Sequence, residues 1–352
     1  MSLSAQITID LDAAIHNLEI VRDFSPKSKV MAIVKADAYG HGALRIVRSL
    51  KEADAFGVAR LDEAVALRDA GYENRIVLLE GPVDYFELNQ AFDLKLDIVL
   101  HSAYQIDLLA RQNTQFRVWL KINTGMNRLG FRPKDVLTHL SEIRKYATEI
   151  ICMTHFSCTK LSDIKQVGLQ EECFNSVARE IGGEGSLANS AAILTLPSTH
   201  KEWVRPGLML YGVSPFFGKT GRTYGLKPVM TLKSRLISVQ TVSAGQYVGY
   251  GRNYLCKKDT RIGVVAFGYG DGYPRTTHAS VIIRGIKARV VGDCSMDMIT
   301  IDLGSVPRAR CGDEVTLWGD GLPVEEVAES SGMIPYELLC RVKMRAKYVE
   351  SS

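Results

Sequence analysis

Long apolar runs are missing from this chain of 352 residues. No stretch approaches the ~18 uninterrupted apolar residues that a membrane helix needs. A basic segment leading into an apolar core is also missing from the opening MSLSAQITID, so no secretory signal is expected. Charge of one sign is not in excess. The net charge is +4 and the basic residues are interspersed, which implies no nucleic-acid surface and leaves anionic small molecules as partners. Cysteines are few and odd in number, seven between Cys152 and Cys340, as suits reduced thiols in a cytoplasmic enzyme. Cys152, His155 and Cys158 are evenly spaced, but no second ligand pair follows, so no metal is expected. Internal repeats and low-complexity linkers are lacking as well.

What is present reads as two closely packed domains, or a barrel with an extension, at this length. From residue 29 to about 214 strand and helix patterns alternate. Candidate strands are Val30–Lys35, Ala55–Ala59, Arg75–Glu80, Leu96–His101, Arg117–Asn123, Ile150–His155, Ser186–Asn189 and Trp203–Arg205. Between them Val136, Leu140 and Ile143 form one amphipathic stripe, and Ile106, Leu109 and Ala110 another. Leu61 to Ala70 ends on Gly71, a natural helix stop. Eight strands, most followed by a helix, predict a (β/α)8 TIM barrel, with a doubly wound sheet as runner-up. The stretch GLMLYGVS after the eighth strand fits strand or helix. Near residue 230 the period changes to β-branched runs broken by Gly, Asp and Lys turns, with RGIK placed as a hairpin turn. The expected division is 1–229 for the barrel and 230–352 for a mostly β C-terminal domain. Residues 1–12, with ITIDLD, suit a strand of either.

A barrel does its chemistry at the C-terminal ends of its strands, and unusual residues stand there. Lys35 ends the first, where its amine can serve as nucleophile or base. Lys121 lies in the fifth, which runs into TGMNRLG and Arg128. His155 ends the sixth, Asn189 and Ser190 the seventh, and Arg205 the eighth, before Pro206 and Gly207. Singly each has a bland reading, such as a satisfied core histidine or a loop cation in water. Together they read as one site. Ser190 and the backbone N–H groups near Gly207 and Leu208 suit a phosphate, and Tyr39 offers a phenolic hydrogen bond. A strand-end lysine with a phosphate cradle suggests pyridoxal 5'-phosphate held on Lys35 as a Schiff base.

The stretches VKADAYGHG, KINTGMNRLG, THFS, ANSAA, WVRPGLMLYGVSP, GYGDGYPR and GDCSMDM, in that order, resemble alanine racemase over nearly the whole chain. The resemblance implies a homodimer with shared active sites, D-alanine supply for peptidoglycan, and roles for particular residues. Lys35 and Tyr269 would be the two bases, Tyr269 coming from the partner chain. Arg205 would meet the pyridine nitrogen and His155 would link it to Tyr269. Arg128 would bind the cofactor's phenolic oxygen and, with the partner's backbone at Met296, the substrate carboxylate. Tyr39, Asn189, Ser190, Gly207 and Leu208 would hold the cofactor on its phosphate side. Lys121 matches a lysine that many members carry N-carboxylated beside Arg128. The chain departs from the family at Asp37, where asparagine is usual, and at Met344 and Ser295. Tyr273 and Tyr250 compete with Tyr269 for its role.

Physical chemistry supports these implied roles. Racemisation removes a proton from one face of a carbon and returns one to the other, so two bases must flank it. An arginine facing the ring nitrogen keeps that nitrogen unprotonated and the ring a weaker electron sink. That disfavours a long-lived quinonoid, and protonation at the wrong carbon. Alternatives are a broader racemase acting on serine or basic amino acids, a barrel-type decarboxylase, and a non-catalytic cofactor carrier. A decarboxylase pairs the ring nitrogen with a carboxylate, whereas this chain has Arg205. Replacing Arg205 by glutamate should raise side transamination, followed as keto acid formed per racemisation event. An unchanged ratio would contradict the electronic argument.

Overall fold

The computed structural model describes residues 5–157, 164–342 and 345–351. After a short strand, β1 (Gln6–Asp10), come eight strands closed into a parallel barrel. They are β2 (Lys29–Ile33), β3 (Ala55–Val58), β4 (Arg75–Leu78), β5 (Asp97–Leu100), β6 (Phe116–Lys121), β7 (Ala147–Met153), β8 (Glu184–Asn189) and β9 (Trp203–Arg205). Closure is made by β9 on β2, with Trp203 opposite Lys29 and Val204 opposite Val30. A doubly wound sheet has open edges, so that runner-up is excluded. The stretch after β9 settles as a short 3-10 turn, Leu208–Tyr211.

The strands are apolar on both faces because helices cover the barrel outside and side chains fill it inside. Helix Pro133–Lys145 follows its sequence pattern, burying Val136, Leu140 and Ile143, with proline at its start and Arg144 and Lys145 in its last turn. Helix Ala103–Gln112 departs from its expected stripe. Ala110 is exposed, and Gln105 is buried with Ile106 and Leu109. Its amide bonds the His101 N–H (2.8 Å) and the Pro82 carbonyl (3.2 Å), so a polar side chain ties two loops together from inside.

The end of the barrel remote from those loops is sealed by aromatic rings and charge. Trp119 and Trp203 meet edge to face at 5.1 Å, and the Arg75 guanidinium lies over both. Arg75 pairs with the buried Asp97 and, at 2.9 Å, with Glu149, while Trp119 donates to Asp97 at 2.9 Å. Burial pushes the Asp97 carboxyl pKa up in spite of its arginine partners. The group is tolerable there because every neighbour named is a donor.

Residues up to 17, residues 39–41 and those from 211 onward form one compact unit, and residues 18–38 and 42–210 the other. The first carries β10 (Met230–Val242), β11 (Tyr247–Val248), β12 (Tyr254–Leu255), β13 (Thr260–Val265), β14 (Ser280–Ile283), β15 (Ile286–Val290), β16 (Ile299–Asp302), β17 (Glu314–Trp318) and β18 (Lys347–Ser351). Its sheet runs β13-β16-β15-β14-β17-β10-β1-β18, and a further β13–β10 pairing folds it back on itself. Here β1 lies antiparallel to β10 and parallel to β18. Of RGIK, Arg284 and Gly285 make the hairpin turn between β14 and β15, at φ +50° and +77°, while Ile286 and Lys287 already belong to β15. Among the described residues no helix is long and apolar enough to cross a membrane.

Replacing Asp97 by alanine would leave Arg75 over the rings with Glu149 as its ion-pair partner and Glu184 nearby. Denaturant unfolding should show a loss of about 3 kcal/mol, the low end for breaking a buried pair because Glu149 remains.

Candidate active site

The barrel unit brings together most of the residues singled out from the sequence. Lys121, Asn189 and Arg205 are the last residues of β6, β8 and β9. Ser190, Gly207 and Leu208 follow at once, and His155 stands two positions beyond β7.

Lys35 differs from its expected place. β2 stops at Ile33, and the chain after Lys35 turns left-handed, with Ala36, Asp37, Ala38 and Tyr39 all at φ +53° to +54°. Left-handed backbone costs an L-residue about 1–2 kcal/mol, so neighbours must hold this turn in place. They are visible. Ala36 N–H donates to the Glu63 carboxylate at 2.6 Å, Ala38 N–H to the Val34 carbonyl at 2.9 Å, and Gly42 N–H to the Asp37 carbonyl at 3.0 Å. The Asp37 carboxylate accepts from Ala43 N–H at 2.8 Å, at the start of helix Ala43–Ser49. The unusual acid is therefore a cap, where an anion also suits the helix dipole.

Arg128 is carried by a loop bonded to itself. The Asn123 side chain accepts from Gly125 N–H (3.1 Å) and Asn127 N–H (3.0 Å), and Phe131 N–H donates back to Lys121 O (2.9 Å). Gly130 sits at φ +120°, where a Cβ would come within 2.8 Å of the Asn123 nitrogen, so no other residue fits.

Arg205 is buried and held by neutral groups. It donates to Ser186 Oγ (2.6 Å), Thr154 O (2.5 Å) and Leu187 O (3.2 Å), and its terminal nitrogen lies 3.5 Å from His155 Nδ1. Burial pulls its pKa down to about 10, which still leaves it charged near neutral pH. Burial, and then the cations Arg205, Lys121, Arg128 and Lys35, pushes the His155 pKa well below its ordinary value. A neutral imidazole whose Nδ1 faces an arginine carries its proton on Nε2. Lys121 is lowered to about 8, first by burial and then by Arg205, Arg128 and Lys35. The site is a cluster of cations that repel one another.

Beside it, Ser190 Oγ accepts from Gly207 N–H at 2.9 Å and Met209 N–H at 3.3 Å. With its lone pairs so used, the hydroxyl is left to donate, as an anion requires. Asn189 caps helix Ser190–Thr195, accepting from Ala192 N–H at 3.2 Å. This donor set fits a pyridoxal phosphate: an amine for its aldehyde, a donor-only arginine for its ring nitrogen, and a hydroxyl for its phosphate.

The other unit holds the remaining residues. Tyr39 is buried against Tyr211 and Tyr336, with ring centroids 5.0 and 5.6 Å away. Burial raises its pKa, so its hydroxyl stays protonated as a donor. Tyr269 opens a tight turn, Tyr269–Asp271, and is 43% exposed. Its N–H bonds Ser295 O (3.0 Å), Gly270 N–H bonds Met296 O (2.8 Å), and Arg345 joins Asp271 (2.9 Å) to Asp297 (2.7 Å). The Ser295 hydroxyl closes the same loop on Met298 O at 2.8 Å. Its competitors differ in setting. Tyr273 is sealed in the core, stacked on Trp318, and Tyr250 is largely exposed. Met344 and Cys158 lie outside the described residues.

Sequence reasoning missed Glu63 and the acceptors of Arg205. Glu63 is legible as the third residue of a helix that starts one strand along, a capping position. Thr154 O and Leu187 O are backbone atoms, which no residue pattern displays.

The model of "Alanine racemase, N-terminal domain" matches residues 9–215, and that of "Alanine racemase, C-terminal domain" residues 229–350. The chain is 46% identical over 353 residues to an alanine racemase of Nitrosomonas eutropha, covering 98% of each. A biosynthetic alanine racemase structure from Pseudomonas aeruginosa superposes with a TM-score of 0.96 at 39% identity, with all of both chains covered. One from Bartonella henselae, with covalently bound pyridoxal phosphate, gives 0.88 at 28%, covering 99% of this chain and 100% of that one.

In protein freed of cofactor, competitive acetylation should show Lys121 titrating with a midpoint of about 8, while exposed lysines lag at the ordinary value of about 10.4. A midpoint near the ordinary value would mean that neither burial nor the neighbouring cations act on it.

Proposed function

The chain belongs to the alanine racemase family, and from that premise we propose how its own residues carry out the reaction. The activity is that of an isomerase interconverting L-alanine and D-alanine, with pyridoxal 5'-phosphate as cofactor. When bound, that group supplies an aldehyde that takes the substrate's amine and a ring that draws electron density from its α-carbon.

Lys35 holds the aldehyde at rest and exchanges the α-proton on one face. Tyr269 from a second copy exchanges it on the other. Arg205, charged and able only to donate, binds the ring nitrogen and keeps it unprotonated. His155 accepts from Arg205 through Nδ1 and donates from Nε2 towards Tyr269. Arg128 binds the phenolic oxygen and, with the backbone at Met296 of the second copy, the substrate carboxylate. Ser190, Gly207 and Leu208, with Asn189 behind them and Tyr39 as a further donor, hold the phosphate.

Lys121 has the neutral amine needed to attack carbon dioxide as the pH passes about 8. Attack forms an N–C bond as one C–O π bond of carbon dioxide opens, and releases one proton; with the proton already lost from the ammonium, a cation that repels Arg128 becomes an anion that attracts it. The observation that carries the reading is the buried Arg205, bonded among the described residues to neutral groups, at the head of a cation cluster.

The reading takes the assembly to be a homodimer, and the exposure of Tyr269 and Met296 supports it, since a second copy can offer them. The product role is D-alanine for peptidoglycan, made in the cytoplasm.

In heavy water, wild-type protein should convert L-alanine to D-alanine carrying α-deuterium. Tyr269→Phe should lose about 100-fold or more in turnover, most strongly from the L side. Mixing inactive Lys35→Ala with Tyr269→Phe should restore activity as hybrid dimers form. No restoration would contradict a site shared between copies.

A further inference from the structure

One carboxylate joins the strained turn behind Lys35 to the next βα unit. Glu63 is the third residue of helix Leu61–Asp69, which follows β3. Its Oε2 accepts from Ala59 N–H at 2.8 Å and Arg60 N–H at 3.2 Å, satisfying donors at its own helix start. Its Oε1 reaches across to β2 and accepts from Ala36 N–H at 2.6 Å. Ala36 directly follows Lys35 and is the first residue of the left-handed turn. An ordinary helix cap uses its carboxylate on its own helix alone. This one spends half of its acceptor capacity on the peptide linking Lys35 to Ala36.

We propose that Glu63 is a positioning residue for Lys35. By fixing the Ala36 peptide it sets the direction in which the lysine leaves the backbone, and so where its amine stands relative to the cofactor aldehyde and the α-carbon. This rests on Lys35 being the cofactor lysine. The requirement is geometric. The turn holds four non-glycine residues in left-handed backbone, so without its first anchor it can relax toward ordinary φ and swing the lysine stem. Displacing a reacting amine by about 1 Å costs on the order of 100-fold in rate. Glutamine in place of Glu63 keeps one carbonyl acceptor, but its NH2 would face an N–H donor at the other end, so it can hold the cap or Ala36 and not both.

The test uses full-length holoenzyme carrying Glu63→Ala, Glu63→Gln or Asp84→Ala. Asp84 caps the neighbouring helix Tyr85–Asp93 through Glu87 N–H (2.8 Å) and reports the loss of a cap alone. Borohydride reduction followed by peptide mapping first locates the pyridoxyl group. kcat, KM and the pH midpoint of the bound cofactor's absorption band are then measured. Expected for Glu63→Ala is a 10- to 100-fold fall in kcat with KM little changed and a displaced midpoint. Glu63→Gln should fall between it and wild type, and Asp84→Ala should keep wild-type kcat and midpoint. If Glu63→Ala does not fold, Glu63→Gln carries the comparison. Wild-type kcat and midpoint in the Glu63 variant with label on Lys35 would reduce Glu63 to a helix cap and overturn the proposal. Label on another lysine in wild-type protein would overturn the assignment of Lys35, and this proposal with it.

Discussion

Burial of several cations close together is the constraint on which the site depends. Burial first, and then neighbouring cations including Arg205, Arg128 and Lys35, lowers the pKa values of Lys121 and His155. Arg205 is buried with carbonyl and hydroxyl partners, which satisfy its hydrogen bonds without cancelling its charge. Buried cations this close are unfavourable without anions, so on the function proposed above a phosphate, a phenolic oxygen and a substrate carboxylate would offset a cost that the folded chain already carries.

The same division of labour runs through the barrel. At the end away from the site, Arg75 and Asp97 are opposite charges in contact, packed between two tryptophans, and the arrangement is satisfied within the chain. At the site end cations predominate, with the Glu80 carboxylate acting against them on Lys121. The closed sheet supports both because its strand direction gives the two ends different loops.

The architecture was readable from the sequence because it is periodic. Eight apolar runs separated by amphipathic helices left few topologies, and strand ends fell within a few residues of the observed ones. Lys35, Lys121, His155, Asn189 and Arg205 were legible because charged or amide side chains at the ends of buried strands stand out. The left-handed turn at 36–39 was not. Alanine and tyrosine disfavour positive φ and aspartate only tolerates it, so the conformation is imposed by acceptors such as Glu63 on another segment. Asp37 drew notice as a departure beside the lysine, yet its partner Ala43 lies six residues on and is specified by the turn itself. Tyr269 carried no local signal, because a tyrosine among glycines is most often a surface aromatic.

The grouping of residues 39–41 with the C-terminal unit has a consequence for how the chain is made. Gly40 O accepts from the Tyr348 hydroxyl at 2.8 Å, across 308 positions of sequence, and a Cβ at Gly40 would press on Leu339 O. During synthesis the barrel strands leave the ribosome first, and domains tend to fold in that order. The turn at 36–38 has its anchors within the barrel unit, whereas Gly40 gains its partners only when the last strand and the helix before it are made. A nascent chain can therefore close its barrel while residues 39–41 still lack contacts that the far end of the sequence supplies.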